Sequence, residues 1–174
     1  EVTPGYHPLV IFDADETLFS YDVSETLDPT GGTKKVLKIV PAEKDTEQTL
    51  KGIREKAPDA QIIVLAQDTA SETRRKLAAA NINAQLFDSI VSDKQCSKGT
   101  MMARYIQQMP ERPAQVCFVD NTEEMLSDVE NTCETLQIHY NTFLYTGARA
   151  MSNRAFAHGR QLTREELVKQ LETA

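Results

Sequence analysis

The chain has 174 residues, 40% of them apolar and 26% charged, with only 7 Gly and 7 Pro, a balance that suits one folded domain and excludes fibrous or disordered classes. Lys and Arg number 19 against 26 Asp and Glu, a formal charge of −7, so no basic face for a nucleic-acid backbone or an acidic lipid surface is expected. No apolar run approaches the roughly 18 residues that span a bilayer. The chain begins at Glu1 rather than Met, so an upstream segment is expected to be missing, and cytoplasmic and exported locations both stay open.

The run Leu9-Val10-Ile11-Phe12, bounded by Pro8 and an acidic cluster, is short and rich in β-branched residues, the pattern of a strand buried on both faces. Residues 20–40 follow, with Tyr21-Asp22-Val23 and Val36–Val40 separated by Asp28-Pro29-Thr30-Gly31-Gly32, which predicts a two-stranded flap. Leu50 and Ile53 sit at helical distance after Pro41, Ile62–Leu65 reads as a second buried strand, and 71–80 is an Ala-, Lys- and Arg-rich helix. Ser89-Ile90-Val91 gives a third strand. Residues 98–109 place Met101, Met102, Tyr105, Ile106 and Met109 on one helical face. Val116–Val119 is a fourth strand, 122–133 a helix carrying Met125, Leu126 and Val129, and Thr142–Tyr145 a fifth strand of the same kind. Thr163-Arg164-Glu165-Glu166 is a capping box opening a last helix with Leu167, Val168 and Leu171. Strands alternating with helices predict an α/β fold with a mainly parallel five-stranded sheet, and no composition shift divides 1–174 into separate domains. The methionine stripes read as core. The three cysteines, Cys96, Cys117 and Cys133, lack disulfide or zinc spacing and read as packing residues. His7, His139 and His158 form no metal or triad pattern, and the serines lack the turn of a hydrolase nucleophile.

The chemistry concentrates where ligands bind in such sheets, beyond the carboxyl ends of the strands. Phe12-Asp13-Ala14-Asp15-Glu16-Thr17 crowds three acids and a hydroxyl at the end of the first strand. Such carboxylates are tolerable together if a cation lies between them or one keeps its proton. Phe118-Val119-Asp120-Asn121 repeats the pattern, and in a parallel sheet both strand ends open on one edge. Asp13, Asp15, Asp120 and Asn121 are therefore expected around one hard cation, for which Mg²⁺ is the natural candidate. Between them, Ser97-Lys98-Gly99 heads a helix with an ammonium able to offset phosphate charge.

Asp13-Ala14-Asp15-Glu16-Thr17, followed in order by Lys98 and Asp120-Asn121, resembles the haloacid dehalogenase-like (HAD) phosphohydrolase superfamily over about 9–145. The resemblance implies a Rossmann-like three-layer sandwich and phosphomonoester hydrolysis through an aspartyl-phosphate. Asp13 would be the nucleophile and Asp15 the general acid and then base. Lys98 would hold nucleophile and phosphate together, and Asp120 would bind Mg²⁺. Asn121 stands where many relatives carry a second Asp, a mild substitution. Thr17, Gln67 and Thr69 are candidate phosphate contacts.

One motif departs from the pattern. The second strand should end in a Thr or Ser that hydrogen-bonds the phosphate, whereas the register gives Ala66-Gln67-Asp68. A lost charge-assisted hydrogen bond is worth about 1.5–3 kcal/mol, or roughly ten- to a hundredfold in rate, unless Gln67 or Thr69 supplies the donor. The flap is too short for a full cap, so an open site is expected, suited to a phosphorylated small molecule or a phosphoprotein. Specificity would come from the flap and from Arg149, Arg154 and Arg160. Two other readings stand beside the hydrolase: a catalytically weakened relative that binds a phosphorylated ligand or a protein, and a receiver-type phosphoacceptor. The Asp-x-Asp-x-Thr order on the first strand favours the hydrolase over the receiver.

Overall fold

The computed structural model describes residues 7–148. The last predicted helix, His158 and Arg149, Arg154 and Arg160 lie outside the described residues. Among the described residues, no helix is long and apolar enough to cross a membrane.

The chain runs β1 (Pro8–Asp13), β2 (Phe19–Leu27), β3 (Thr33–Pro41), α1 (Thr46–Lys56), β4 (Gln61–Ala66), α2 (Ala70–Ala79), a 3₁₀ turn (Ala84–Leu86), β5 (Ser89–Ser92), α3 (Lys98–Gln108), β6 (Gln115–Asp120), α4 (Glu123–Leu136) and β7 (His139–Leu144). Five strands form a sheet of order β5-β4-β1-β6-β7, and every pairing in it is parallel. The fold is α/β of the Rossmann-like kind the sequence predicts.

Side chains alternate across a strand, and here the alternation builds two cores. Val10, Ile62, Val64 and Ala66 pack on one face with Leu50 of α1 and Leu77 of α2. Leu9, Ile11, Ile63 and Leu65 pack on the other with Met101, Met102 and Ile106 of α3 and Leu126, Val129 and Cys133 of α4. Ile62 to Leu65 are each 0% exposed, which is why this strand reads as an unbroken apolar run. All three cysteines are free, and Cys133 is buried among these side chains.

β7 differs from its reading as a strand buried on both faces. It is an edge strand, with Phe143 54% and Leu144 45% exposed among the described residues. An apolar run reports strand propensity, while its place in the sheet decides coverage.

β2 and β3 form a separate antiparallel hairpin, paired from Phe19–Pro41 out to Leu27–Thr33. It is longer than its apolar segments suggest. The turn closes on Asp28, whose N–H donates to Gly32 O at 2.7 Å and whose Oδ1 accepts from Thr30 N at 2.9 Å. Gly31, at φ 98°, takes the left-handed backbone that glycine adopts without steric cost. Phe19, Tyr21 and Ile39 anchor its base in the core beside α1 and α2, so the hairpin rises next to the carboxyl end of β1.

Candidate active site

β1 delivers Asp13 to the sheet edge, and the chain then tightens into a turn. The N–H groups of Thr17, Leu18 and Phe19 all point at Ala14 O, at 3.3, 3.0 and 3.5 Å. This requires Glu16 at φ 59°, a left-handed backbone that costs a residue with a Cβ about 1–2 kcal/mol. Such strain gathers at functional sites. The turn aims Asp13, Asp15 and Glu16 into one open pocket of about 360 Å³.

β6 delivers Asp120 to the same edge. Its Oδ1 accepts from Asn121 N at 2.6 Å and Thr122 N at 3.1 Å, which leaves Oδ2 facing β1. Thr122 then caps α4, accepting from Met125 N. α3 is capped by Ser97, and its first residue, Lys98, reaches back across the sheet edge. Its Nζ donates to Asp13 Oδ1 and to Asp120 Oδ2, the latter at 2.7 Å, and lies 5.9 Å from the centre of the Phe118 ring. Thr17 Oγ1 donates to Asp13 Oδ2 at 3.0 Å.

The trio is buried: Asp13 is 5%, Lys98 3% and Asp120 0% exposed. One ammonium thus serves two carboxylates in a poorly solvated place. The Asp13 carboxyl is raised to about 7, chiefly by burial, which outweighs the downward pull of Lys98 and is reinforced by Asp120. Burial works against the Lys98 ammonium, but Asp13 and Asp120 outweigh it and raise its pKa. Lys98 is therefore firmly charged while Asp13 beside it remains under-neutralised.

Gly99 fixes that lysine's approach. Its N–H donates to Asp128 Oδ2 at 2.8 Å, and a Cβ there would overlap Thr132 Oγ1 and lie 3.1 Å from the Asp128 carbonyl oxygen. The threonine can rotate, but the backbone oxygen cannot. Gly99→Ala should cost about 1–3 kcal/mol from overpacking, less the roughly 1 kcal/mol that Ala gains in helix propensity. A lower thermal midpoint together with weaker turnover is expected, and an unchanged midpoint would show that α3 and α4 can separate freely.

The remaining sequence candidates are distributed as follows. Asp15 lines the pocket and accepts from Tyr21 Oη at 2.5 Å, which ties it to the hairpin. Asn121 also lines it, and its Nδ2 donates to Glu16 Oε2 at 3.2 Å. Ala66 and Gln67 line the wall under β4, where Gln67 Nε2 donates to Cys96 O at 3.0 Å. Thr69 is outside the lining and caps α2, accepting from Glu72 N at 3.2 Å. Thr17 likewise faces Asp13 from behind rather than the pocket. Among the described residues, no three carboxylate, histidine or cysteine side chains gather into a ready-made cation cluster.

The donor set nonetheless fits a hard divalent ion. Five carboxylates line the pocket (Asp13, Asp15, Glu16, Asp68 and Asp120) against three lysines (Lys76, Lys94 and Lys98), so five minus three leaves an excess of two negative charges. Oxygen-rich sites of this charge suit Mg²⁺.

Lys76, Asp68, Lys94 and Tyr21 were not singled out by the sequence. Lys76 did carry a signal, since it falls with Thr73 and Leu77 on the inward stripe of α2, where all three are buried. Tyr21 carried none, because its meeting with Asp15 depends on the path of the hairpin.

Among solved structures, the chain is similar to the HAD domain of effector protein Lem4 from Legionella pneumophila, with 11% identity, a TM-score of 0.55, and 94% of this chain and 99% of that one covered. An inactive mutant of the same domain gives 11% identity and a TM-score of 0.54, covering 95% and 99%. The 3-deoxy-D-manno-octulosonate 8-phosphate phosphatase of Moraxella catarrhalis aligns at 11% identity and a TM-score of 0.37, covering 65% of this chain and 56% of that one, a likeness too weak to bear on the site. No curated protein sequence matches. The Lem4 likeness establishes a HAD-like fold and, at that identity, nothing of the chemistry. One family model, described as "Protein of unknown function (DUF2608)", matches residues 46–168; the match takes in Lys98 and Asp120 but begins after Asp13 and Asp15. With most of its length matched, this HAD-like chain belongs to the DUF2608 family.

Proposed function

We propose that the chain is a Mg²⁺-dependent phosphomonoester hydrolase with Asp13 as its nucleophile. The observation that supports this is the buried Lys98 ammonium, bonded at once to Asp13 and Asp120 at an open pocket beyond the carboxyl edge of the sheet. The Asp13 carboxyl, raised to about 7 without metal, would be held ionised as the nucleophile by a bound cation, and positioning with charge neutralisation supplies most of the acceleration in phosphoryl transfer.

Asp13 attacks phosphorus as the bond from phosphorus to the leaving oxygen breaks, and the Asp15 carboxyl gives that oxygen its proton. Asp15 then takes a proton from water; the water oxygen attacks phosphorus, and the bond to Asp13 breaks to release inorganic phosphate. Tyr21 holds Asp15 in register for both transfers. Lys98 keeps Asp13 aligned and offsets the charge that gathers on the phosphoryl oxygens. Asp13, Asp15, Asp120 and Asn121 would hold Mg²⁺, which when bound neutralises phosphoryl charge as a Lewis acid. Among the described residues only the slender hairpin stands beside the pocket, and this openness suits a phosphorylated small molecule or a phosphoprotein as substrate.

Two measurements test this. Purified protein should hydrolyse an aryl phosphate with Mg²⁺ and stop when the metal is chelated. Mg²⁺ at a hundredfold excess over its dissociation constant should add about 2.7 kcal/mol of stability, raising the thermal midpoint by roughly 5–11 °C for a chain of this size. Absence of both effects rejects the proposal.

Ala66 favours a second reading, a weakened relative that binds a phosphorylated ligand. It places a methyl where the HAD pattern has a hydroxyl. Phosphate binding without measurable turnover would select it.

A further inference from the structure

The pocket is divided in charge along the sheet. Asp13, Asp15, Glu16 and Asp120 come from the ends of β1 and β6, whereas on the β4–β5 side Lys76 of α2 and Lys94 of the loop after β5 outnumber the single carboxylate of Asp68. Lys98 lies within the acidic group, bridging Asp13 and Asp120.

Lys76 is the unusual member. α2 carries three consecutive basic residues, Arg74, Arg75 and Lys76. Arg75 pairs with Glu72 one turn back, at 2.7 Å. Lys76 instead turns inward and is 4% exposed. Removing an ammonium from water costs several kcal/mol unless charges and hydrogen bonds compensate, and Asp68 is among the groups that compensate it. Lys76 faces the pocket with Ala66, where β4 ends without a hydroxyl, and with Thr73 and Asp68. Asp68 Oδ2 accepts from its Nζ at 3.3 Å, longer than the usual 2.9 Å or so for such a bond. An ammonium has three donors, so a bond to Asp68 is compatible with another to a phosphate oxygen.

We propose that Lys76, positioned by Asp68, is the phosphate-binding residue that replaces the hydroxyl absent at Ala66. This rests on the reading of the pocket as a phosphohydrolase site, and it assigns that site two halves: the β1–β6 side for the metal and the nucleophile, the β4–β5 side for phosphate. The family pattern loses a neutral donor at position 66 and this chain gains a charged one from the neighbouring helix. A point charge on a flexible stem suits phosphate without demanding bidentate geometry.

The test is calorimetric titration of inorganic phosphate in the presence of Mg²⁺, with steady-state hydrolysis of an aryl phosphate alongside. Lys76→Met should weaken phosphate binding and raise KM by about tenfold or more, the worth of one charge-assisted bond, and Lys76→Arg should retain most of the binding. Ala66→Thr added to Lys76→Met should recover part of it. If Lys76→Met folds poorly because Asp68 is left alone, the Asp68→Asn, Lys76→Met double variant removes both charges and carries the same expectation. Unchanged phosphate affinity and KM in a folded Lys76→Met protein overturn the inference, and the hydrolase reading survives provided the wild type turns over. A wild type that neither binds phosphate nor hydrolyses the ester overturns both.

Discussion

Asp13→Asn should abolish phosphatase activity, by about a thousandfold or more, while leaving the protein at least as stable as the wild type. The amide keeps the shape: its oxygen accepts from Lys98 and its Nδ2 donates to Thr17 Oγ1, the hydroxyl that bonds Asp13 Oδ2 at 3.0 Å in the wild type and can turn to accept. The amide has no charged oxygen to attack phosphorus, and a thousandfold corresponds to about 4 kcal/mol of lost transition-state stabilisation. Stability moves the other way because the wild-type carboxylate is under-neutralised: burial pushes its pKa up to about 7, so a neutral side chain in its place removes an unfavourable charge. A carboxyl raised above its unfolded value costs stability as pH rises from the unfolded pKa near 4 towards 7, and metal-free Asp13→Asn should lack that contribution. The readouts are initial rates with aryl phosphate and thermal midpoints across this window. Undiminished turnover would reject Asp13 as nucleophile.

Lys98→Met should lose both activity and stability, and this contrast separates the two residues. Methionine fills similar space but leaves Asp13 and Asp120, 5% and 0% exposed, with no ammonium between them. Removing one partner of a buried ion pair typically costs about 3–5 kcal/mol, which lowers the midpoint of a chain this long by roughly 6–20 °C. Mg²⁺ should restore part of that loss, since it brings positive charge to the same carboxylates. A midpoint equal to that of the wild type would mean that the ammonium does not balance them.

Much of this architecture is legible before any coordinates. β1 and β4 read as buried strands because both their faces are covered, one by α1 and α2 and the other by α3 and α4, and a doubly covered strand has no polar alternation. Lys98 reads as the head of a helix because Ser97 before it is a strong cap. The hairpin is legible only in part. Its outer residues, such as Glu25 and Lys35, are polar and exposed where the strands pair, and a polar ladder leaves no apolar signature. Thr69 shows the limit for a site residue. A threonine after a strand reads equally as a phosphate donor or a cap, and in the fold it caps α2. Lys76 shows the converse, since a lysine in a basic helix is ordinarily solvated and only its phase on the buried face of α2 marks it.

The alternation of strands and helices, the acids at the ends of β1 and β6, and the lysine opening α3 are written into the chain locally, because periodicity, capping and strand composition depend on neighbouring residues alone. The tertiary structure decided which of these groups meet: that one buried ammonium bridges Asp13 and Asp120, that Tyr21 reaches Asp15, and that Lys76 faces the pocket beside Ala66. Contacts between residues far apart in the chain follow from strand order and helix packing, and these are set by burial summed over the whole domain rather than by any short segment.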